Sequence, residues 1–148
     1  MRWIKSLFGG GGMIKGIDHV AIVVTDMDRA IEFYSGVLGL TVHRDGRGDG
    51  GEGGEKKSFL GTGDRTLVAL TEDEGRAKRE AGVVEGVAHV AFKVADVEAA
   101  REALRQRGVE FIEEKLDRDG RGYAYHFLDP DGLELEIYGD TGEAVPPY

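Results

Sequence analysis

The chain has 148 residues, 41% of them hydrophobic, no Cys, and 19 Lys and Arg against 28 Asp and Glu for a net charge of −9. That suits one ordinary domain with a real core, and without a local basic patch it excludes sequence-independent binding to nucleic acid or to an anionic membrane. Without Cys, disulfides, thiolate nucleophiles, zinc ribbons and iron–sulfur clusters are also excluded, which leaves carboxylates and His19, His43, His89 and His126 as possible metal ligands.

Residues 1–12, MRWIKSLFGGGG, read as a flexible N-terminal extension. They are too short and too interrupted by Lys5 for a signal peptide, and would give at most a weak membrane contact. A single domain is expected over 13–140, with module one at 14–72, module two at 86–140 and a polar tail at 141–148. Four of the 24 glycines lie in the run Gly9–Gly12 and six more between Gly46 and Gly54, so both pieces read as connectors. The letters GDGGEG match G-x-G-x-x-G, but no helix follows to present its N-terminus to a phosphate. No apolar run approaches the roughly 18 residues of a membrane span, and a cytoplasmic protein is expected.

The modules are an internal repeat. A shift of 70 residues sets GIDHVAIVVTDMDRA (16–30) over GVAHVAFKVADVEAA (86–100), identical at seven of fifteen positions, His19/His89 and Asp26/Asp96 among them. Each copy predicts a strand (17–24; 87–94) and then a helix started by Asp26 or Asp96. Met27, Ala30, Ile31, Tyr34, Val37 and Leu38 form the apolar stripe of the first helix, and Gly39 ends it. Val97, Ala100, Ala103 and Leu104 do so in the second, before Gly108. Three shorter strands follow each helix, near 40–44, 57–60 and 66–71, then near 110–115, 123–128 and 133–138. The fold class is therefore α+β, two βαβββ modules whose uncovered sheet faces wrap a shared cavity.

Strand alternation turns Val20, Ile22 and Val24 toward the helix and His19, Ala21 and Val23 the other way, with His89 equivalent to His19. In the strand after the tight turn Asp129-Pro130-Asp131-Gly132, Leu135 and Ile137 take the helix side and Glu136 the inner side. Glu134 shares that parity but lies closer to the turn and solvent. His43, at a strand end, reads as a surface residue.

IDHVAIVV, VAHVAFKV and DPDGLELEIYG together resemble the vicinal oxygen chelate superfamily, which includes glyoxalase I, extradiol ring-cleavage dioxygenases, fosfomycin-resistance proteins and methylmalonyl-CoA epimerase. The resemblance covers nearly everything from Ile14 to about Gly139 and implies paired βαβββ modules in an open barrel. It also implies that His19, His89 and Glu136 are metal ligands. Two neutral imidazoles and one carboxylate would form a facial triad that leaves positions open for a chelating small molecule.

Glyoxalase-like members usually add a carboxylate from the last strand of module one. Here that place falls on Ala69 or, one residue off, Val68, which weakens that reading. Fosfomycin-type transferases fit poorly, because Ala21 stands where they typically carry Thr and no Arg follows Tyr138. The expectation is therefore an extradiol dioxygenase using Fe(II). His126, where that family commonly has Tyr, would be its catalytic acid–base group. The alternatives are a glyoxalase I-like lyase or isomerase with Mn(II), Ni(II) or Zn(II), and a metal-free drug-binding protein. A homodimer is expected from size and family.

Overall fold

A computed structural model describes residues 16–49, 54–75 and 87–139. The N-terminal extension, the middle of the glycine-rich connector and the C-terminal tail lie outside the described residues. Module one runs β1 (Val20–Val24), α1 (Met27–Ile31), a π-helical continuation (Glu32–Val37), β2 (Thr41–Arg44), β3 (Lys57–Thr62) and β4 (Arg65–Glu72). Module two runs β5 (Val90–Val94), α2 (Val97–Gln106), β6 (Phe111–Leu116), β7 (Gly122–Leu128) and β8 (Glu134–Gly139). Each forms a four-stranded sheet, in the orders β1-β4-β3-β2 and β5-β8-β7-β6, with only the first pair of each parallel. The α+β class and the paired βαβββ modules hold, and both sheets are open rather than closed into a barrel.

Local chemistry explains the matching starts of the helices. The Asp26 and Asp96 side chains each accept from a backbone N–H in the first turn, Arg29 and Ala99, at 2.9 Å. The first helix departs from the predicted α-helix after one turn and widens into π geometry, where Leu38 N–H reaches back to Phe33 O at 2.9 Å. Gly39, at φ +82, closes it, a backbone conformation that a β-carbon disfavours.

The wide turn lies where the two modules meet. Phe33 packs on Phe127 of β7, and the buried Tyr34 hydroxyl donates to Asp129 at 2.8 Å. Thr25 N–H and Oγ1 donate to Asp131 at 3.0 and 2.5 Å, so both carboxylates of the Asp129–Gly132 turn are tied to module one. Ile22, Tyr34, Leu60, Leu104, Phe127 and Leu135 belong to one continuous core on the helix sides of the sheets.

This corrects one expectation: within one chain the helix sides share the core, and the other faces do not enclose a common cavity. Ala21 and Val23 on β1, and Ala91 and Lys93 on β5, are exposed. The reason is which side carries the large apolar groups. Phe33, Phe111, Tyr125 and Phe127 all lie on the helix side, and burying them together is the larger gain.

Candidate metal centre

The register places the candidate residues. His19 and His89 each sit one residue before the first residue of their strands. On β8, Glu136 pairs with Ala91 on one side and with His126 of β7 on the other. Three polar residues thus lie on one face, with Glu134 two residues along the same strand.

Their side chains converge. Glu136 is buried between two imidazoles, with Oε2 at 3.3 Å from His89 Nε2 and Oε1 at 3.2 Å from His126 Nε2. The His89 and His126 rings meet edge to face at 5.0 Å. His126 Nδ1 lies 2.7 Å from Glu134 Oε1. Although His126 Nε2 is within ion-pair distance of Glu136, it lacks hydrogen-bond alignment and is a buried nitrogen with no partner. A hydrogen bond weakens steeply when bent, so the short distance alone does not make one.

Two imidazoles and two carboxylates are a donor set for a divalent transition ion, so the residues fit the metal that the sequence suggests. Among the described residues, one donor atom each from His89, His126 and Glu134 lie within 4.8 Å of one another.

His19 is not part of this group. Its ring is exposed and bonds the neighbouring Asp18 through Nδ1 at 2.7 Å. Glu134, judged from the sequence to be nearer solvent, does belong to it. The readable signal for that was Glu-x-Glu on one strand face, with a His on the strand before the turn. His43 is exposed as expected, its ring nitrogens 3.2 Å from Thr66 Oγ1 and 2.9 Å from Gly63 O.

The pairing also resolves the module-one position. Ala69 pairs with Ala21 as Glu136 pairs with Ala91, so Ala69, not Val68, is the counterpart of Glu136. Phe59 stands opposite Ala69 as His126 stands opposite Glu136, and Leu67 takes the place of Glu134. Module one keeps its His and replaces the rest of the constellation with apolar residues.

A cavity of about 320 Å³ lies apart from this group, bordered by Phe33, Val37, Arg107, Val109, Ile112 and Leu128. None of the four polar residues lines it. On the face that carries this group Ala91 and Lys93 are exposed, whereas His126 and Glu136 are buried.

Residues 16–137 match the Glyoxalase/Bleomycin resistance protein/Dioxygenase superfamily, and the chain belongs to that family. It is 31% identical over 131 residues to a glutathione transferase FosA of Serratia marcescens, covering 85% of this chain and 82% of that protein. It is 32% identical over 123 residues to a lactoylglutathione lyase of Escherichia coli O157:H7, covering 80% and 88%. The trypanothione-dependent glyoxalase I of Leishmania major superposes with a TM-score of 0.68 at 30% identity, covering 87% and 89%. The chain spans about half the length of the plant lactoylglutathione lyases that it matches.

These relatives correct the functional expectation. They do not support extradiol ring cleavage, and the glyoxalase alternative fits better. A fosfomycin resistance protein FosX of Listeria monocytogenes shares the fold, with a TM-score of 0.64 at 21% identity. Among the described residues, no helix is long and apolar enough to cross a membrane.

Proposed function

We propose that the protein is a divalent-metal-dependent lyase or isomerase of the glyoxalase I type, acting on a small molecule that chelates the metal through adjacent oxygens. The observation that carries this is the Glu136 carboxylate between His89 and His126, with the partnerless His126 Nε2 beside it. The lactoylglutathione lyase relatives support the reaction class. The preference for Fe(II) rested on oxygen chemistry and lapses with it, leaving Ni(II), Zn(II) or Mn(II). When bound, such an ion would supply Lewis-acid polarisation of a carbonyl oxygen.

His89 and Glu136 would hold the ion. His19, the third expected ligand, is outside their group in one chain, so a second copy must bring it. A homodimer that joins the His19 face of one copy to the Glu136 face of the other would bury both open faces. It would also combine a ligating wall with an apolar one made by Val23, Phe59 and Leu67. His126, with its free nitrogen on the Glu136 side, is the acid–base residue that moves the proton. A cytoplasmic location belongs to the same proposal.

The test is reconstitution of the metal-free protein with Ni(II), Zn(II), Mn(II) or Fe(II), followed by assays with hemithioacetals under nitrogen and with catechols in oxygen. Isomerisation under nitrogen is expected. Oxygen uptake specific to Fe(II) would overturn the reading, and a wild-type protein that takes up no metal would return it to the metal-free binding class.

A further inference from the structure

The face that bears Glu136 continues past it, and its next row of side chains is built differently. Tyr138 lies on the same face of β8 as Glu136. It pairs with Lys93 of β5 and Ala124 of β7, as Glu136 pairs with Ala91 and His126. Ala124 in turn pairs with Lys115 of β6, and His126 with Glu113. The register thus lays out two rows, one with Glu113, His126 and Glu136 and the other with Lys93, Tyr138 and Lys115. Two residues of strand, about 7 Å, separate them.

Local packing keeps both lysines on this face. Phe92 and Val94 pack against the core, so the exposed Lys93 between them points away from it. Lys115 bonds Glu113, two residues earlier on the same side of β6. That bond is the chief cause of its raised pKa, and Glu136 adds a smaller attraction. The register shifts next to Lys115, where the ring of Tyr123 meets that of Tyr138 edge to face at 5.8 Å. The paired positions of the second row therefore hold two cations beside an aromatic wall and no carboxylate, on a chain of net charge −9. In module one Val23 and Thr71 stand at the places of Lys93 and Tyr138.

We propose that this row is an anion subsite of the metal centre, where Lys93 and Lys115 receive a carboxylate that the substrate carries about 7 Å from its chelating oxygens. The substrate class is then a small oxo compound with a terminal acidic group, its chain lying along Tyr138. The chelating end rests on the proposed function, whereas the anion-binding row rests on strand register and charge. An ammonium is a compact charge with rotatable donors, so it can follow a carboxylate whose position changes during the reaction.

The test uses the full chain loaded with Zn(II) and two probes, glutaric monohydroxamate and pentanohydroxamate. Both chelate a divalent ion through adjacent oxygens on chains of equal length, and only the first ends in a carboxylate. Calorimetry at low salt should show the acid binding about fivefold more tightly, the scale of two partly exposed charge pairs. That ratio should fall to about one in the double variant Lys93→Met, Lys115→Met, and should persist in Lys93→Arg. A ratio of one in the wild type, or an undiminished ratio in the double variant, overturns the proposal. If the double variant does not fold, the two single Met variants decide, each expected to lose part of the preference.

A second measurement needs no metal. The metal-free chain, with ¹³C-labelled lysines, is titrated with pentanoate and with pentanamide, and the Lys93 and Lys115 signals are those lost in the Met variants. Both should shift and saturate with pentanoate and not with pentanamide. No shift at either lysine overturns the subsite even if Zn(II) binds. Shifts at both lysines in a protein that takes up no metal and turns over no hemithioacetal would leave the subsite intact and defeat the proposed function.

Discussion

The two modules share a fold, a capping Asp and a His at the same place, yet among the described residues only the second assembles such a polar constellation. In module two the face of β7 and β8 carries His126, Glu134 and Glu136, whereas the matching face of module one carries Phe59, Leu67 and Ala69. The difference also reaches the helices. Met27, Ala30, Ile31 and Tyr34 of the first are buried, but only Leu104 of α2 is fully so. Duplication supplied two similar frames, one with a polar cluster and the other with apolar side chains at the matching positions.

The comparison is broken most directly at the metal. Glu136→Ala or His89→Ala should weaken Zn(II) or Ni(II) binding by more than about 100-fold, beyond what losing an outer hydrogen-bond partner costs. Phe59→Ala in module one should leave the stoichiometry unchanged. Calorimetry and elemental analysis check both, and retained metal in Glu136→Ala would remove the distinction between the modules.

Sharing between copies is tested next. His19→Ala and His89→Ala should each be inactive alone but recover turnover when unfolded and refolded together, because a mixed dimer rebuilds one of its two sites. No recovery at any mixing ratio would mean that both histidines serve within one chain.

The shared core should be costly to open. Phe127→Ala removes a fully buried ring that touches Phe33 of module one and Phe111 of module two, and should lower stability by about 3–5 kcal/mol in urea titration. The unfolding should stay a single transition for both modules. The caps sharpen the likeness instead: Asp26→Ala and Asp96→Ala should each cost about 1 kcal/mol. A much smaller effect at Asp26 would show that tertiary burial alone holds the short first helix.

The smallest effects concern pH, and the modules differ in sign. Burial raises the pKa of Asp129 in module two, partly offset by the hydrogen bonds from Tyr34, Leu133 and Asp131. Its contribution is complete below its ordinary value of about 4 and is lost as pH rises through the folded value. Burial also pushes the pKa of Glu72 in module one upward, but there Lys56 at 2.5 Å and the Met27 N–H outweigh it and leave the pKa lowered. That stability is present above about pH 4.5 and is lost as pH falls through the folded value. Asp129→Asn should flatten the loss on the rising side and Glu72→Gln the loss on the acid side, as read from unfolding free energies between about pH 3 and 7.

Much of the fold was legible because its signals are local and repeated. Alternation placed Ile22, Val24, Leu135 and Ile137 on the buried side, and Asp26 and Asp96 marked the helix starts. The π-helical turn was not legible, because the apolar stripe from Met27 to Leu38 fits an α-helix equally well. The wide turn instead coincides with the inter-module contacts of Phe33 and Tyr34, partners about 95 residues away in sequence.

For the site, strand parity was enough to bring His89 and Glu136 together, since both depend only on the period of two within neighbouring strands. Parity could not say that Glu134 bonds His126, because that takes the β7–β8 register and a particular pair of rotamers. Nor could it say on which side of the sheets the modules would join. That choice depends on the summed burial of the Phe33, Phe111, Tyr125 and Phe127 side chains, a property of the packed whole. It leaves His19 apart from the two carboxylates, so the sequence by itself determined the candidate ligand types and their strands, and the tertiary structure decided which of them meet within one chain.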